Sequence, residues 1–201
     1  MNQPEIFLLR HGQTTWNRVD RHQGHMDSPL TLKGCEQARG FGRRLAAEID
    51  DWSAVTIHCS TKFRCRQTAA IACDEAGADV ERIIYDERLI ERSYGQWEGL
   101  TTAEIEERYP EDVAGRRVSR WDYVIPGGGE SYERLRERII HWLSEQPPAG
   151  RLVVFSHGVA GRMLRGLYLG LSKEEILGLD EPQDQIIHLT RYGAGRLESI
   201  G

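Results

Sequence analysis

Two short runs of consecutive apolar residues constrain the fold of this chain more than any other feature. Residues 6–9 (Ile-Phe-Leu-Leu) lead into Arg-His-Gly at 10–12, and residues 152–155 (Leu-Val-Val-Phe) lead into Ser-His-Gly at 156–158. Unbroken apolar runs of this length are typical of strands buried on both faces of a parallel sheet. Ligands of such sheets bind beyond the carboxyl ends of the strands, so we expect both histidines and the arginine at one crevice.

The remaining pattern predicts an α/β fold in one domain. Strand-like runs at 55–59 and 82–85 alternate with helical stretches, which predicts a three-layer α/β/α sandwich with a mostly parallel central sheet and helices on both faces. Two late strands are expected at 185–190 and 196–199. No linker or internal repeat divides the 201 residues, so we expect a single domain spanning 1–201.

Capping residues indicate where helices begin. Thr31, Thr101 and Ser131 each have a side chain that favours the N-cap position, and Thr101 is followed by glutamate at the capping-box spacing. Helices are therefore predicted after each of them, the first over 32–49, and a further one from about 61 to 76. A helix is also expected directly after the second His-Gly pair.

Residues 111–130 do not follow this scheme. The part from 111 to 123 lacks clean periodicity, and the sequence Pro-Gly-Gly-Gly follows at 126–129. The glycines lack the lysine and the spacing of a P-loop, so a flexible turn is the better interpretation. We predict a loop-rich excursion over the sheet edge, where substrate selectivity would reside.

Composition excludes several classes of protein. The net charge of -5 and the pI of about 5.8 argue against a general nucleic-acid binder. The mean hydropathy is -0.53, and no stretch approaches the ~20 apolar residues of a membrane span. The polar N-terminus does not look like a signal peptide. The four cysteines form no CxxC pair and are interpreted as reduced thiols, so we expect a cytoplasmic protein.

His11 is the leading candidate for a nucleophile. A lone histidine at a strand end is usually structural, but this one follows Arg10 and precedes Gly12, and a second His-Gly pair stands at an equivalent strand end. A neutral imidazole attacks phosphorus well, and covalent catalysis divides one difficult displacement into two easier ones.

Phosphoryl transfer also needs cations and a proton donor. Arg64 lies in the first turn of the helix predicted after the strand at 55–59, where the helix dipole adds to its charge. Arg66 points elsewhere on that helix and is the weaker candidate. Glu91 follows the strand and loop at 82–90 and could protonate a leaving oxygen, with Glu98 as its competitor.

Six ordered motifs make the chain similar to the histidine phosphatase superfamily, also called the phosphoglycerate mutase-like family. The resemblance spans nearly the whole length. The motifs are Arg10-His11-Gly12 with Thr15-Trp16-Asn17; Ser28-Pro29-Leu30-Thr31 with Gly34 and Gln37-Ala38; Ser60 and Arg64 with Gln67-Thr68-Ala69; Glu91 with Gly95 and Glu98-Gly99; Pro126 with Gly129-Glu130-Ser131; and Ser156-His157-Gly158.

The resemblance implies a role for each matching residue. It makes His11 the phosphorylated nucleophile and Glu91 the group that protonates the leaving oxygen and then activates water. It assigns binding of the phosphoryl group to four side chains, namely Arg10, Asn17, Arg64 and His157. It implies no metal or other cofactor, and it places His22 and His25, which have the spacing of a metal-ligand pair, in a loop flanking the pocket.

The resemblance leaves the activity open between two enzymes and a binding module. Mutases of the family carry a longer insertion before the second histidine and an Asn-Lys pair where this chain has Thr101-Thr102, so a phosphatase of a small phosphorylated metabolite is favoured. A phosphoglycerate mutase is the alternative. A non-catalytic phosphate-binding regulatory module is less favoured, because no core residue is missing.

The natural substrate and the oligomeric state, a homodimer included, stay open at this point. Substrate selectivity is expected to depend on a small set of residues near the motifs. The candidates are Gln23, Gly24, Arg92, Tyr94, Trp97, Trp121 and Tyr123. Of these, Gln23 and Gly24 are assigned to substrate binding.

Overall fold

The structure is a computed structural model that describes residues 3–201. Met1 and Asn2, which begin the polar N-terminal segment, lie outside the described residues. Residues 3–201 form one six-stranded sheet and seven α-helices. The strands are β1 (Glu5–Arg10), β2 (Val55–Ser60), β3 (Ile83–Asp86), β4 (Arg151–Ser156), β5 (Gln185–Thr190) and β6 (Gly193–Glu198). The helices are α1 (Leu32–Glu48), α2 (Phe63–Glu75), α3 (Thr102–Arg108), α4 (Pro110–Val118), α5 (Tyr132–Ser144), α6 (Gly158–Tyr168) and α7 (Lys173–Gly178).

The sheet is mostly parallel, as predicted. Its strand order is β3-β2-β4-β1-β5-β6. The first four strands in this order pair in parallel, whereas β5 pairs antiparallel with both of its neighbours. Strand β6 begins at Gly193, three residues before the predicted start, because its glycine-rich first half gives no alternation in the sequence.

The register between β1 and β4 brings the two His-Gly pairs to the same level. Arg10 is paired with Ser156 at the ends of these adjacent strands. His11 and His157 are the next residues of each chain segment, so both leave the sheet at one point on its carboxyl edge. The two histidines therefore lie next to each other at one edge of the sheet.

Both faces of the sheet are buried, which explains the unbroken apolar runs. Because side chains alternate across a strand, Ile6 and Leu8 pack with α5 and α6 in one core, while Phe7 and Leu9 pack with α1 and α2 in another. Helices therefore cover both faces, and the predicted three-layer sandwich is confirmed.

The predicted caps are present. Thr31 Oγ1 accepts a hydrogen bond from the Gly34 backbone N–H, and Ser131 Oγ accepts one from the Arg134 N–H. Thr101 forms a complete capping box at the start of α3. These bonds satisfy N–H groups that a helix N-terminus leaves without partners.

The prediction of a loop-rich segment over 111–130 is wrong in its first part. Pro110–Val118 is the helix α4, with proline in its first turn, where a missing N–H costs nothing. Its acidic first turn and basic last turn complement the helix dipole. None of its residues is fully buried, and its apolar side is short, with Val113 packed against a small cluster of Trp97, Ile105 and Ile125, so the sequence gives only a weak periodic signal. The segment from 119 to 130 is irregular, as predicted.

Within residues 3–201, no helix is both long and apolar enough to cross a membrane.

Candidate active site

A cavity of about 390 Å³ opens at the carboxyl edge of the sheet, beyond the ends of β1 and β2. It brings together seven of the eight side chains or backbones predicted to act on or bind the substrate. These are Arg10, His11, Asn17, Gln23, Gly24, Arg64 and Glu91. The eighth, His157, lies against this group rather than in the lining of the cavity.

The imidazole of His11 is held in one orientation and one tautomer. Its side chain is 3% exposed, and its Nδ1 lies 2.8 Å from the carbonyl oxygen of Gly12. A carbonyl only accepts hydrogen bonds, so Nδ1 carries the proton and Nε2 keeps its lone pair. Burial, together with the charges of Arg64 and Arg10, holds the pKa of His11 well below its ordinary value. The ring is therefore neutral near pH 7 and has a nitrogen free to act as a nucleophile.

Gly12 allows the nucleophile loop to lie directly on the start of α1. A Cβ atom at this position would stand 2.4 Å from the carbonyl oxygen of Gly34, closer than any side chain could be tolerated. The backbone N–H of Gly12 donates to Thr68 Oγ1 at 3.0 Å. The glycine of the first motif thus serves close packing between the loop and two helices.

Arg64 is fully buried, and its guanidinium is fixed on almost every side. Nη1 donates to the Met26 carbonyl at 2.8 Å and forms an ion pair with Asp27 at 2.9 Å, while Nη2 donates to the Gly24 carbonyl at 2.8 Å. Nε donates to His157 Nδ1 at 3.2 Å. Among the described residues, these bonds use four of the five N–H groups of an arginine, which leaves one on Nη2 for an oxyanion. Arg66, the weaker candidate, is exposed and lies over the Tyr85 ring.

His157 lies against His11 and Arg64. Its ring centroid is 5.3 Å from that of His11. Because Nδ1 accepts from Arg64, Nε2 carries the proton and donates to Ser60 Oγ at 2.7 Å. Burial, followed by the charge of Arg64, places the pKa of His157 well below its ordinary value. Both ring nitrogens are engaged by protein groups here, so direct contact between His157 and a phosphoryl group stays a prediction.

Glu91 is oriented by backbone N–H groups at the start of α6. Its carboxylate accepts from the N–H groups of Arg92 (2.8 Å), Val159 (3.1 Å) and Ala160 (3.0 Å). The side chain is 8% exposed and lines the cavity. The arrangement fixes a carboxyl group beside the reaction space, as the position of a proton donor requires.

Glu98, the competing carboxylate, is engaged elsewhere. It accepts from the backbone N–H groups of His25, Met26 and Tyr94 at 2.9–3.0 Å and from Ser93 Oγ at 3.1 Å. Through these four hydrogen bonds its carboxylate joins two loops. Glu98 is not among the residues that line the cavity. The geometry favours Glu91 over Glu98 as the acid.

The segment between α7 and β5 contributes two residues that sequence reasoning missed. The carbonyl oxygen of Glu181 accepts from Arg10 Nη1 at 2.7 Å. Gln183 Nε2 donates to the His11 carbonyl at 3.0 Å and to Asn17 Oδ1 at 3.1 Å, so the amide nitrogen of Asn17 is left to face a ligand. Because β5 is antiparallel to β1, its start lies at the same sheet edge as the end of β1. The sequence of β5 gave no signal for them, because the direction of the strand is set by its pairing with β1.

Asp27 was also missed, and Ser60 was named in the third motif without a role. Asp27 neutralises Arg64, and Ser60 ends β2 and fixes the His157 ring. Ser60 could have been identified, since it follows a buried strand at the reactive edge of the sheet. Asp27 lies in a loop, and its sequence gives no comparable signal.

The structure places the residues expected to set substrate selectivity in different surroundings. Gln23, Gly24 and Tyr94 line the active-site cavity, and Trp97 lines a neighbouring one. Arg92 is fully buried between the rings of Tyr94 and Tyr132, at 5.0 and 4.5 Å. Trp121 stacks on Tyr132, and the Tyr123 hydroxyl donates to Asp112. Arg92, Trp121 and Tyr123 line neither cavity.

The histidine pair in the flanking loop is engaged by protein groups. His22 Nε2 lies 3.2 Å from Thr102 Oγ1, and His25 Nε2 lies 3.1 Å from the Glu91 carbonyl oxygen. Within residues 3–201, no three His, Cys, Asp or Glu side chains are grouped so that they could hold a metal ion.

Comparison with known proteins identifies the family of this chain. The chain matches the family model of the histidine phosphatase superfamily (branch 1) over residues 6–198. It is 32% identical over 189 residues to a metal-independent phosphoserine phosphatase of Arabidopsis thaliana, covering 92% of this chain and 76% of that protein. It is 31% identical over 183 residues to a 2,3-bisphosphoglycerate-dependent phosphoglycerate mutase of Parvibaculum lavamentivorans, covering 87% and 84%.

The crystal structure of the alpha-ribazole phosphatase from Shigella flexneri has the same fold, with a TM-score of 0.77 at 22% sequence identity over 97% of this chain and 95% of the other. The family match runs through every motif described above, from the Arg-His-Gly sequence after β1 to the Ser-His-Gly sequence after β4. The resemblance inferred from those motifs is confirmed. This chain belongs to the histidine phosphatase superfamily.

Proposed function

We propose that this protein hydrolyses phosphomonoesters of small metabolites, without a metal, through a phosphohistidine formed on His11. Relatives named as phosphatases support a phosphatase. The observation that carries the proposal is the state of His11, which is neutral, has its Nδ1 proton held by Gly12 and lies beside two arginines. This is the form in which an imidazole can attack phosphorus.

In the first step, His11 Nε2 attacks the phosphorus atom and the bond to the alcohol oxygen breaks. Glu91 gives its carboxyl proton to that oxygen, so the alcohol leaves neutral. Arg10 and Arg64 face the equatorial oxygens, over which the negative charge is spread in the transition state. The free amide nitrogen of Asn17 adds a further donor.

In the second step, water attacks the phosphorus atom of the phosphohistidine. The Glu91 carboxylate takes a proton from the water as the P–N bond breaks, which restores the neutral imidazole and the protonated acid. Phosphate then leaves. Atoms and charges balance over the two steps with no group beyond the substrate, water and these side chains.

The test is turnover of 4-nitrophenyl phosphate in the presence of EDTA. We expect wild-type protein to hydrolyse the ester at undiminished rate after chelation, and His11→Ala to show no turnover above background. Activity that disappears with EDTA and returns with a divalent cation would contradict the metal-independent mechanism. Absence of turnover on every phosphomonoester tried would favour the non-catalytic binding module.

Phosphoglycerate mutase activity is the second candidate. The mutase relative at 31% identity supports it. Arg116 and Arg117, which line the cavity beside the active site, also resemble an arginine pair of the family's mutases. The conversion of 3-phosphoglycerate should be measured with and without 2,3-bisphosphoglycerate. We expect slow release of phosphate and no isomerisation. Isomerisation that depends on the bisphosphate would replace the phosphatase by the mutase.

A further inference from the structure

A second cavity adjoins the active site and has a different lining. Its volume is about 340 Å³, and it shares His22 and Thr102 with the active-site cavity. It lies between α3, α4 and the short turn over 95–97. The two cavities therefore meet at the hydrogen-bonded pair of His22 and Thr102.

The inner side of the second cavity is apolar. Trp97 and Ile105 are 2% and 3% exposed, and Val113 of α4 packs against the same small cluster. The active-site cavity, in contrast, is lined mainly by charged and amide side chains. An apolar surface next to a phosphate site is useful only to a ligand with apolar surface of its own.

The outer side of the second cavity is basic. Arg116, Arg117 and Arg120 line it, with Glu106 as the single carboxylate in the lining. Within residues 3–201, Arg117 has one long ion pair, 3.4 Å to Glu106, and neither Arg116 nor Arg120 has a carboxylate within 4.0 Å. Three guanidinium groups with so little neutralisation favour a negatively charged ligand.

Two buried N–H groups at this cavity lack acceptors. Trp97 Nε1 and Arg116 Nε are buried and have no hydrogen-bond partner among the described residues. The Arg116 guanidinium lies 5.8 Å from the Trp97 ring centroid. Buried donors without partners are costly, so each needs an explanation. Neither atom is exposed to the cavity, and for Arg116 the face of the Trp97 ring supplies one.

We propose that the second cavity binds the alcohol part of the substrate, and that the substrate is the phosphomonoester of an apolar, aromatic alcohol that carries an acidic group. The proposal rests on the phosphatase function and specifies its substrate class. Serine and glycerate lack the apolar surface to cover Trp97, Ile105 and Val113, and the active-site cavity alone is large enough for them. An aromatic ring would cover the apolar side, and its acidic group would face the arginines.

The experiment compares kcat/KM for phenyl phosphate, 1-naphthyl phosphate and a carboxylated 1-naphthyl phosphate. Wild-type protein should prefer the naphthyl ester to the phenyl ester and the carboxylated ester to both. Val113→Trp fills the cavity and should lower the naphthyl-to-phenyl ratio about tenfold. The matched control is Val118→Trp on the same helix, where the side chain is 89% exposed, and it should keep the wild-type ratio.

A charge variant tests the acidic group separately. Arg120→Gln should lower the preference for the carboxylated over the plain naphthyl ester about tenfold, since an ionic hydrogen bond to a charged group is lost. Arg191→Gln, at an exposed site at the end of β5, should not change that preference.

Four results distinguish a failure of the proposed substrate class from a failure of the proposed phosphatase function. If phenyl phosphate is hydrolysed but wild-type protein does not prefer the naphthyl ester, the second cavity does not bind the alcohol. This result uses wild-type protein alone and does not depend on whether Val113→Trp folds. Equal ratios for the two tryptophan variants lead to the same conclusion while leaving the phosphatase intact. If 4-nitrophenyl phosphate is hydrolysed but none of the three esters is, the substrate class is overturned and the phosphatase stands, whereas failure on all four esters overturns the phosphatase itself.

Discussion

At the scale of single residues, the reactivity of the site depends on how each ring or carboxyl group is held. His11 has its tautomer set by one carbonyl, and Arg64 has four of its N–H groups assigned to the protein. Fixing donors in this way removes the cost of reorganising them when charge develops on the phosphoryl group. The identities of these residues could be predicted from motifs, but the partners of Arg64 could not, because Gly24, Met26 and Asp27 are brought to it only by the fold.

Glu91→Gln is expected to affect esters according to their leaving group. The amide cannot donate a carboxyl proton, so kcat for alkyl phosphates should fall about 10²–10⁴-fold, whereas 4-nitrophenyl phosphate, whose leaving oxygen needs less protonation, should lose much less. Single-turnover rates across a series of leaving groups give the comparison. An equal loss for all of them would assign the acid to another residue, with Glu98 as the next candidate.

Arg64→Lys is expected to lower kcat/KM about 10²–10³-fold, as loss of an oxyanion donor does. A lysine retains the charge but cannot form the planar fork or the Nε bond to His157. Arg66→Lys, two residues further along α2 and exposed, is the matched control and should keep wild-type kinetics. Comparable losses in both variants would show that charge on the helix matters and the geometry at Arg64 does not.

At the scale of secondary-structure elements, close helix packing positions the phosphate-binding helix. Helix α1 lies against α2, which carries Arg64, and glycine makes the contact possible. A Cβ atom on Gly42 would stand 2.5 Å from the Ala72 carbonyl oxygen and 2.6 Å from Glu75 Cβ. Most elements could be predicted from periodicity and caps. Helix α4 could not, because it is short and has no fully buried residue, which leaves only a weak periodic signal.

Gly42→Ala should therefore destabilise the protein by about 1–3 kcal/mol, the usual cost of overpacking, despite the better helix propensity of alanine. Gly178→Ala in α7 is the control, since its Cβ would meet no atom within 4 Å. We expect the control to be neutral or slightly stabilised. Urea denaturation of the two variants gives the free energies of unfolding, and a Gly42→Ala variant as stable as the wild type would contradict this account of the packing.

At the scale of the whole molecule, the site exists because several segments meet at one edge of the sheet. The ends of β1, β2 and β4 could be placed there from their apolar runs alone. The start of β5 could not, because its antiparallel direction is decided by pairing with β1 and not by its own residues. This is why Glu181 and Gln183 were found only in the structure.

Burying two neutral histidines in this site should make the stability of the whole fold depend on pH. The pKa values of His11 and His157 are well below their ordinary value, mainly through burial. Between that ordinary value, about 6.5, and the lowered values, the unfolded chain binds protons that the folded chain does not. The free energy of unfolding should thus fall as the pH drops below about 6.5, by up to about 1.4 kcal/mol per histidine per pH unit.

Urea denaturation between pH 7.5 and pH 5 measures this dependence. The double variant His11→Asn, His157→Gln should show a smaller slope, and His141→Gln, at an exposed site on α5, should keep the wild-type slope. A wild-type slope near zero over this range would contradict the burial of neutral rings.

The most direct test of the central claim is the covalent state of His11 during turnover. Wild-type protein mixed with a ³²P-labelled phosphomonoester and quenched within milliseconds should carry a label that is stable in alkali and lost in acid, on the peptide that contains His11. The His11→Ala variant should carry none. A label on any other residue, or full turnover by His11→Ala, would show that the imidazole at the end of β1 is not the nucleophile.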